Sequence, residues 1–343
     1  MCLGVRVVTK RILSIVTIAL LFGCGLREKL PLNEQVITQN AVCDSVPEYG
    51  QYSVMQYVAQ QKDIIPALEQ MFVPQGLAYW AQKDWWFISG YFRPVNVMDG
   101  GALIAVDAKT GKYAGIWSIV DGDGNCLDGH FSGIAVTERD LYVSHGSVLL
   151  RVSLRGVDEV GTPGVVNISE SLRTGIHEAG CNYSNGILWV CEHFRSMDIR
   201  TNASGKMIGY KVDGSGGINP DCVLLVPEKV QGITVSADGL FIYSVSYGRT
   251  NPSEIVIYSD PRKFLPDSYV KIAGKIVPLW DLKDEMPLLN LSAPPMSEGC
   301  GAVGDDFYLI FESAAYYYSV FHPYYRSVDP TDRIWKLNLK NIK

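Results

Sequence analysis

Hydrophobic and polar residues alternate in short runs along most of the chain, a period-two pattern that is typical of β-strands rather than helices. Five of the runs begin with one recurring phrase, in which a glycine lies between a small or polar residue and an apolar residue or cysteine. The glycines of the phrase are Gly76, Gly133, Gly180, Gly232 and Gly299. Their spacing of 47 to 67 residues suits the blades of a propeller joined by loops of different lengths.

Further strands come after each phrase. Second strands are predicted at 85–91, 141–145, 187–193, 240–247 and 307–312, and third strands at 102–107, 147–154, 207–212, 254–258 and 332–339. Candidate fourth strands are 113–119, 165–169, 222–226 and 275–282. The fifth unit reaches Lys343 without a fourth strand, so we expect Gln35 to Val42 to complete the last blade, with a short helix between 45 and 70.

These elements predict an all-β fold, a five-bladed β-propeller over residues 71–343 that is closed by an N-terminal strand completing the last blade. A closed ring leaves no long exposed sheet edges, and the repeated glycine allows the innermost strands to pack closely near the axis. An eight-stranded barrel and a sandwich are the rival folds, but neither explains five copies of one phrase.

The N-terminus has the pattern of an export signal. Basic residues precede the apolar run Ile12 to Phe22, which is too short to span a bilayer comfortably. The run ends in Leu21-Phe22-Gly23-Cys24, which resembles the lipobox of bacterial lipoproteins. The resemblance implies a signal peptide at 1–23, lipidation of Cys24, and a segment 24–70 that carries the tether, closing strand and helix. Gly25 after the cysteine implies the outer membrane or cell surface, and an ordinary secretory signal is the alternative.

Composition adds two expectations. Hydrophobic residues make up 47% of the chain and the net charge is −6 without a basic tract, which favours a large core and argues against a nucleic-acid partner. Besides Cys24, an exported chain would carry six further cysteines, enough for three disulfides. Cys181 and Cys191 flank the hairpin turn Asn185-Gly186 and are the predicted pair.

Propeller geometry predicts a shared mouth, because first strands begin and second strands end at the same face. The residues that precede the phrase glycines on this face are Gln75, Ser132, Glu178, Gln231 and Glu298. The residues that close the second strands are Tyr91, His145, Glu192, His193, Tyr247 and Glu312. His130 and His177 occupy equivalent positions before their glycines, and arginines recur at one level as Arg93, Arg195 and Arg249.

The residue types at the mouth indicate its chemistry. Arginine forks suit bidentate capture of a carboxylate or phosphate, and Glu178 and Glu298 are the candidate acid–base residues. Two purely structural interpretations stay open: the polar residues cap backbone groups in a water-filled channel, and the arginines form a structural ion network. His130 and His177 lack a third ligand, so no metal is predicted, and no cofactor motif occurs. Tyr316-Tyr317-Tyr318 is predicted to pack between blades.

Several stretches carry a family resemblance: 73–80 with Asp84-Trp85, 130–136, 231–235 with 244–249, and 296–299 with 311–313. They resemble a largely uncharacterised family of secreted bacterial β-propeller (lipo)proteins, and the resemblance implies fold and export but no reaction. A weaker similarity, through Gln75-Gly76-Leu77, is to the plant-type glutaminyl cyclases, which are five-bladed enzymes. That family carries an acid–base glutamate in its second blade where this chain has Ser132, a departure that argues against the cyclase reaction.

Three functions are compatible with these residues. The first is an envelope-anchored propeller that binds an anionic or zwitterionic small ligand, peptide end or glycan at its axial mouth. The second is a propeller enzyme, a glutaminyl-cyclase-like transferase or a hydrolase. The third is a protein-interaction scaffold. The expected partners are such a ligand and the membrane through the lipid anchor, and the sequence leaves the oligomeric state open.

Overall fold

The computed structural model describes residues 37–43, 47, 50–93, 100–194, 204–282, 285–321, 324, 326–338 and 340. They form five sheets arranged as a five-bladed β-propeller, in which the strands succeed one another outward from the axis. The fold class predicted from the repeated phrase is confirmed.

The strands are grouped by blade. Strand β1 (Val58–Ile64) precedes blade 1, which contains β2 (Phe72–Trp80), β3 (Trp85–Phe92), β4 (Gly100–Asp107) and β5 (Tyr113–Val120). Blade 2 contains β6 (Ile134–Val136), β7 (Asp140–His145), β8 (Val148–Ser153) and β10 (Glu170–Arg173). Between β8 and β10 the chain forms a helix (Leu154–Val160) and β9 (Gly164–Asn167), which joins the sheet of blade 1. Blade 3 contains β11 (Glu178–Ser184), β12 (Ile187–Glu192), β13 (Gly205–Val212) and β14 (Ile218–Val226).

The last two blades complete the ring. Blade 4 contains β15 (Val230–Val235), β16 (Phe241–Val245), β17 (Ser253–Tyr258) and β20 (Leu289–Ala293). Between β17 and β20 the chain forms β18 (Ser268–Ile272) and β19 (Lys275–Asp281), which join the sheet of blade 3. Blade 5 contains β21 (Ser297–Val303), β22 (Asp306–Phe311) and β23 (Arg333–Asn338). Short 3-10 turns lie at Ser53–Gln56, Leu68–Gln70 and Pro261–Lys263, and a π-helical turn lies at Tyr317–Phe321.

The five phrase glycines encircle the axis. A Cβ atom added to any one of them would lie 3.1 Å or less from backbone atoms of the next blade. The order of contact is closed: Gly76 faces blade 2, Gly133 faces blade 3, Gly180 faces blade 4, Gly232 faces blade 5 and Gly299 faces blade 1. At Gly76, Gly133, Gly232 and Gly299 the distance is below 3.0 Å, which real Cβ atoms do not reach, so these positions require glycine. At Gly180 the contact would be tight rather than forbidden.

The hairpins and the core agree with the sequence pattern. Asn185 and Gly186 both have positive φ and join β11 to β12 in a two-residue turn, as a primed hairpin turn requires. Each blade alternates its side chains between two apolar clusters shared with its neighbours, and the largest fully buried side chains are aromatic, among them Trp86, Trp117 and Trp189.

An N-terminal strand closes blade 5, but the predicted segment is wrong. The closing strand is β1, which pairs with β23 in an antiparallel ladder. β1 has the sequence VAQQKDI. Its polar residues suit an outer edge, and for the same reason a search for hydrophobic alternation does not recognise it as a strand. In the described part of the predicted segment, residues 37–43 form no strand; Val42 and Cys43 instead donate backbone hydrogen bonds to the Asp332 carboxylate. The region 45–70 holds β1 and two 3-10 turns rather than one helix.

Two predicted fourth strands belong to other blades. β9, at the position of the predicted strand 165–169, pairs in parallel with β5 of blade 1, and β10 is the fourth strand of blade 2. β19 pairs in parallel with β14 of blade 3, and β20 is the fourth strand of blade 4. The first excursion adds β9 to the outer edge of blade 1, and the second adds the hairpin of β18 and β19 to the outer edge of blade 3.

The predicted disulfides are absent from the described residues. Cys126, Cys191, Cys222 and Cys300 are free thiols. Cys181 pairs in register with Val190, so Cys191 lies one position along and its side chain points to the opposite face of the blade. Cys181 Sγ lies 3.6 Å from the Tyr142 carbonyl oxygen instead.

The export signal and Cys24 lie outside the described residues. Among the residues that the structure describes, no helix is long and apolar enough to cross a membrane.

Candidate functional site

A β-bulge turns the residue before the phrase glycine out of its ladder. The register shifts between Pro74 and Gly76 in blade 1, between Val230 and Gly232 in blade 4, and across the phrase of blades 3 and 5. Bulges re-aim side chains and are frequent beside functional sites. The bulge thus recurs at the phrase in blades 1, 3, 4 and 5, where it re-aims Gln75 and its counterparts.

Two glutamates from blade 5 lie together at the mouth. Glu298 precedes the glycine of β21 and is only 3% exposed, and Glu312 comes directly after the end of β22. Burial and the neighbouring Glu312 carboxylate raise the pKa of Glu298 well above its usual value. Burial also raises the pKa of Glu312 to about 7, while a hydrogen bond from Gln75 and the charges of Arg93 and Arg249 oppose the rise. Both shifts favour the protonated forms, so the pair is at least partly protonated at neutral pH.

Arg93 is held at the mouth by aromatic rings rather than by a carboxylate. Its guanidinium carbon lies 4.0 Å from the centre of the Tyr317 ring, and Nη2 donates a hydrogen bond of 3.2 Å to the Tyr318 hydroxyl. Among the described residues, no carboxylate forms an ion pair with Arg93, and its buried Nε has no hydrogen-bond partner. Arg249 approaches the Tyr318 ring from another direction, at 5.9 Å. Two cations thus flank the carboxyl pair.

Gln75 connects the carboxyl pair to blade 2. Its Nε2 donates to Glu312 Oε2 at 2.9 Å, and its Oε1 lies 3.3 Å from His130 Nδ1. The His130 ring packs on Tyr91 with centroids 4.3 Å apart. Burial of the ring by its neighbours, then the nearby Arg93 charge, lower the pKa of His130, which keeps the imidazole neutral at pH 7. We call Gln75, Arg93, Glu298, Glu312 and Tyr318 the carboxyl cluster.

The opposite side of the mouth is more open. His177 is exposed and its carbonyl accepts a hydrogen bond from the backbone of His193 at 2.7 Å. Glu192 Oε2 accepts from the Lys206 backbone at 3.0 Å, and His145 Nδ1 lies 3.3 Å from the His130 carbonyl. We call His145, His177, Glu192 and His193 the histidine side. Its polar groups contact backbone more than one another.

The other predicted residues lie at separate points around the ring. Ser132 and Gln231 are partly buried beside their glycines, and the Tyr247 hydroxyl donates to Glu254 at 3.1 Å. Glu178 begins β11 opposite Glu192, but its side chain and all of Arg195 lie outside the described residues. The structure thus brings Gln75, His130, Arg93, Arg249, Glu298 and Glu312 together, and places Tyr247 with Glu254.

Two residues of the site were missed by sequence reasoning. Tyr317 and Tyr318 lie at the π-helical turn after β22 and hold Arg93, although the sequence predicts only packing between blades for them. Tyr318 is also buried in the apolar cluster between blades 5 and 1, so packing is part of its role. The available signal was three consecutive tyrosines a few residues after Glu312, which closes the second strand of the fifth unit. Among the described residues, no group of three or more His, Cys, Asp or Glu is arranged to hold a metal ion.

Comparisons with known proteins find distant structural similarity and show no family. No protein-family model and no curated protein matches the chain. Among solved structures, the chain is similar to Myxococcus xanthus glutaminyl cyclase, with 11% sequence identity and a TM-score of 0.46 over 82% of this chain and 95% of that chain. It is also similar to Kluyveromyces lactis Hsv2, with 10% identity and a TM-score of 0.31 over 70% of this chain and 72% of that one. The propeller assignment rests on this chain's own strand order and glycine ring.

Proposed function

We propose that the chain binds a small anionic or zwitterionic ligand, such as a peptide end, at the carboxyl cluster of its axial mouth. The observation that carries the proposal is the state of Arg93, a half-buried cation held by tyrosines, whose buried Nε donor meets no partner among the described residues. A buried donor without a partner is costly in a folded protein. A ligand carboxylate would supply the missing acceptor and the missing counter-charge.

The carboxyl pair makes room for such an anion. Glu298 and Glu312 would repel a carboxylate if both were ionised, but their raised pKa values keep the pair at least partly protonated at neutral pH. Arg249 adds a second positive charge within reach of Glu312. The site is therefore net positive or neutral at pH 7 although it contains two acidic residues.

The test uses three forms of one probe, triglycine. The free peptide carries an ammonium and a carboxylate, the N-acetylated peptide carries only the carboxylate, and the C-terminal amide carries only the ammonium. We expect the first two to bind in isothermal titration calorimetry. Arg93→Met should weaken both by about 10- to 100-fold, which is the value of a charge-assisted hydrogen bond, and Arg93→Lys should weaken them less.

The matched control is Arg155→Met, which removes an exposed arginine from the helix Leu154–Val160 and should leave binding unchanged. If only the amide form binds, or if Arg93→Met retains full affinity, the proposal that Arg93 receives an anion is wrong.

The carboxyl pair also favours a second function, acid–base catalysis on the bound ligand. A protonated Glu298 beside a titrating Glu312 is a donor–acceptor pair of the kind that general acid–base enzymes use. The test is to incubate the protein with Gln-Gly-Gly and to monitor ammonia release and peptide-bond hydrolysis by mass spectrometry. Either product should form with the parent protein and be lost in Glu298→Gln while the far-UV circular dichroism is unchanged. The absence of both products with the parent protein would count against the cyclase-like and peptidase reactions.

We further propose that the chain is exported and anchored to the outer membrane or cell surface through Cys24. The support is the sequence pattern of residues 1–24. Fractionation of expressing cells should place the protein with membranes, and Cys24→Ser should move it to the soluble fraction. A parent protein that is already soluble would contradict the anchor.

A further inference from the structure

The amide of Gln75 is held in one orientation. Its Nε2 donates to two acceptors, the Glu312 carboxylate at 2.9 Å and the Pro74 carbonyl at 3.2 Å. A carbonyl oxygen has no proton to donate, so a flipped amide would place two oxygens against each other at Pro74. This holds whether or not Glu312 carries a proton. The Gln75 Oε1 is therefore fixed on the side of His130.

The fixed amide in turn decides the position of the His130 proton. The Gln75 Oε1 can only accept, so His130 Nδ1, at 3.3 Å, must be the protonated ring nitrogen. Burial and the charge of Arg93 lower the pKa of His130, so the ring carries this one proton and no second one at neutral pH. The other nitrogen, Nε2, is left with a lone pair. Neighbouring atoms surround much of the ring, but the side chain keeps an exposed surface at the mouth, and no described residue forms a hydrogen bond with its Nε2.

We propose that Gln75, oriented by Pro74 and Glu312, locks His130 in its Nδ1–H tautomer, so that His130 Nε2 is the hydrogen-bond acceptor that reads the second end of the ligand. His130 is then a ligand-binding residue and Gln75 a positioning residue. In neutral histidine either nitrogen can hold the proton, and the partner of one nitrogen selects the role of the other.

The charges around the ring agree with this assignment. Arg93 on one side and the histidines His145, His177 and His193 on the other all disfavour a cationic His130. Tyr91 covers one ring face and contributes no charge, because burial and the nearby Glu312 raise its pKa far above the physiological range.

The tautomer also selects a ligand class, and this step rests on the proposed function. A ligand that places its carboxylate at Arg93 would meet an acceptor, not a donor, at His130. It should therefore carry a hydrogen-bond donor there, such as an ammonium or hydroxyl group. An amino acid, a peptide with a free amine or a hydroxy acid fits, whereas a dicarboxylate without a donor does not.

The tautomer is measured without any ligand, by two-bond ¹⁵N–¹H correlation spectra of the full chain labelled at its histidines, at pH 8. The wild-type His130 should show a protonated Nδ1 and an unprotonated Nε2 by at least about tenfold, the ratio expected from one well-formed hydrogen bond. His145 is the internal control, since its Nδ1 faces the His130 carbonyl and must also be protonated. A wild-type His130 with its proton on Nε2 overturns the proposal.

Two variants test the cause. Gln75→Leu and Gln75→Met remove the Oε1 acceptor with little change in size, and in either the Nε2–H form of His130 should increase while the His145 signals stay in place. An unchanged His130 tautomer in a folded variant would show that Gln75 does not set it.

Binding separates this inference from the proposed function. His130→Phe should reduce the affinity for free triglycine about tenfold and that for N-acetyl-triglycine by less, because the acetylated nitrogen keeps one N–H donor but loses the charge that strengthens the hydrogen bond. Equal losses for both peptides would overturn the ligand-class inference while leaving the Arg93 site standing. No binding of either peptide to the wild type would remove the proposed function and leave the tautomer result intact.

Discussion

The carboxyl cluster and the histidine side are built from the same repeated segment, yet they differ in almost every physical property. In blade 5 the phrase glutamate, Glu298, is 3% exposed and has a neighbouring acid in Glu312. In blade 3 the corresponding second-strand acid, Glu192, accepts a hydrogen bond from backbone, and the nearby His177 is exposed.

The difference comes from the segment after the second strand. Beyond β22 the chain forms a π-helical turn whose tyrosines hold Arg93, and Tyr318 lies near enough to Glu312 for that carboxylate to raise the pKa of its hydroxyl, after burial as the larger cause. A repeat therefore places polar side chains at equivalent points around an axis, but burial by a non-repeated segment makes one sector chemically distinct.

The largest expected effect concerns how closely the innermost strands pack at the axis, compared between Gly232, which faces blade 5, and Gly180, which faces blade 4. A Cβ at Gly232 would overlap the carbonyl oxygen of Glu298, whereas a Cβ at Gly180 would lie 3.1 Å from the nearest atom, the carbonyl oxygen of Gln231. We expect Gly232→Ala to lower the free energy of unfolding by about 2–3 kcal/mol and Gly180→Ala by less than about 1 kcal/mol. Urea titration monitored by tryptophan fluorescence measures both. Equal losses would mean that the two sectors are packed alike.

The next effect concerns the ionisation of the buried pair. When folding raises the pKa of a carboxyl group, the protein loses stability as the pH rises from the group's unfolded pKa to its folded pKa. For Glu312 the loss falls between its ordinary value of 4.5 and about 7, and for Glu298 it extends to higher pH. We expect Glu298→Gln to raise the free energy of unfolding at pH 8 by about 1–3 kcal/mol, the cost of an uncompensated buried charge, with little gain at pH 5.

The matched control for this pH series is Glu138→Gln, an exposed acid in the turn between β6 and β7. Its stability profile between pH 5 and pH 8 should superimpose on that of the parent protein. A parent profile that rises with pH over this interval would contradict the raised pKa values.

The smallest effect concerns the aromatic hold on Arg93. Tyr317→Leu removes a ring 4.0 Å from the guanidinium, a cation–π contact of about 0.5–1 kcal/mol. We expect the affinity for N-acetyl-triglycine to fall about two- to fivefold. Tyr247→Leu, which removes the ring beside Lys229 at 5.1 Å, should have a smaller effect. The reverse order would place the anion near Tyr247 instead.

The inner strands and the mouth could be predicted from sequence because both depend on the repeated phrase. Close backbone packing at the axis demands glycine, and glycine is visible in a sequence. Gln75 and Glu298 can be recognised as equivalent because each directly precedes a glycine of the repeated phrase. Their inclusion in one cluster with Glu312 and Arg93 is a consequence of the antiparallel second strand.

The outer strands could not be predicted in the same way. β1 is polar because it lies at an edge, so it carries no hydrophobic signal, and Gln35 to Val42 resembles a strand more than β1 does. β9 and β19 have strand-like sequences, but nothing in them shows that each pairs with the preceding blade. The predicted disulfide between Cys181 and Cys191 is wrong because Cys181 lies opposite Val190, one residue before Cys191. A turn motif alone does not determine this register.

The two excursions divide the ring into units that should open separately. β9 joins blade 2 to blade 1 and β19 joins blade 4 to blade 3 through main-chain hydrogen bonds, while blade 5 is assembled from both ends of the described chain. Amide hydrogen exchange should therefore report two protected pairs of blades and a less protected fifth blade. Glu298 and Glu312 both belong to that fifth blade. The blade expected to open first therefore carries the acids of the mouth. A ligand bound there would stabilise the closed ring by binding only the closed form.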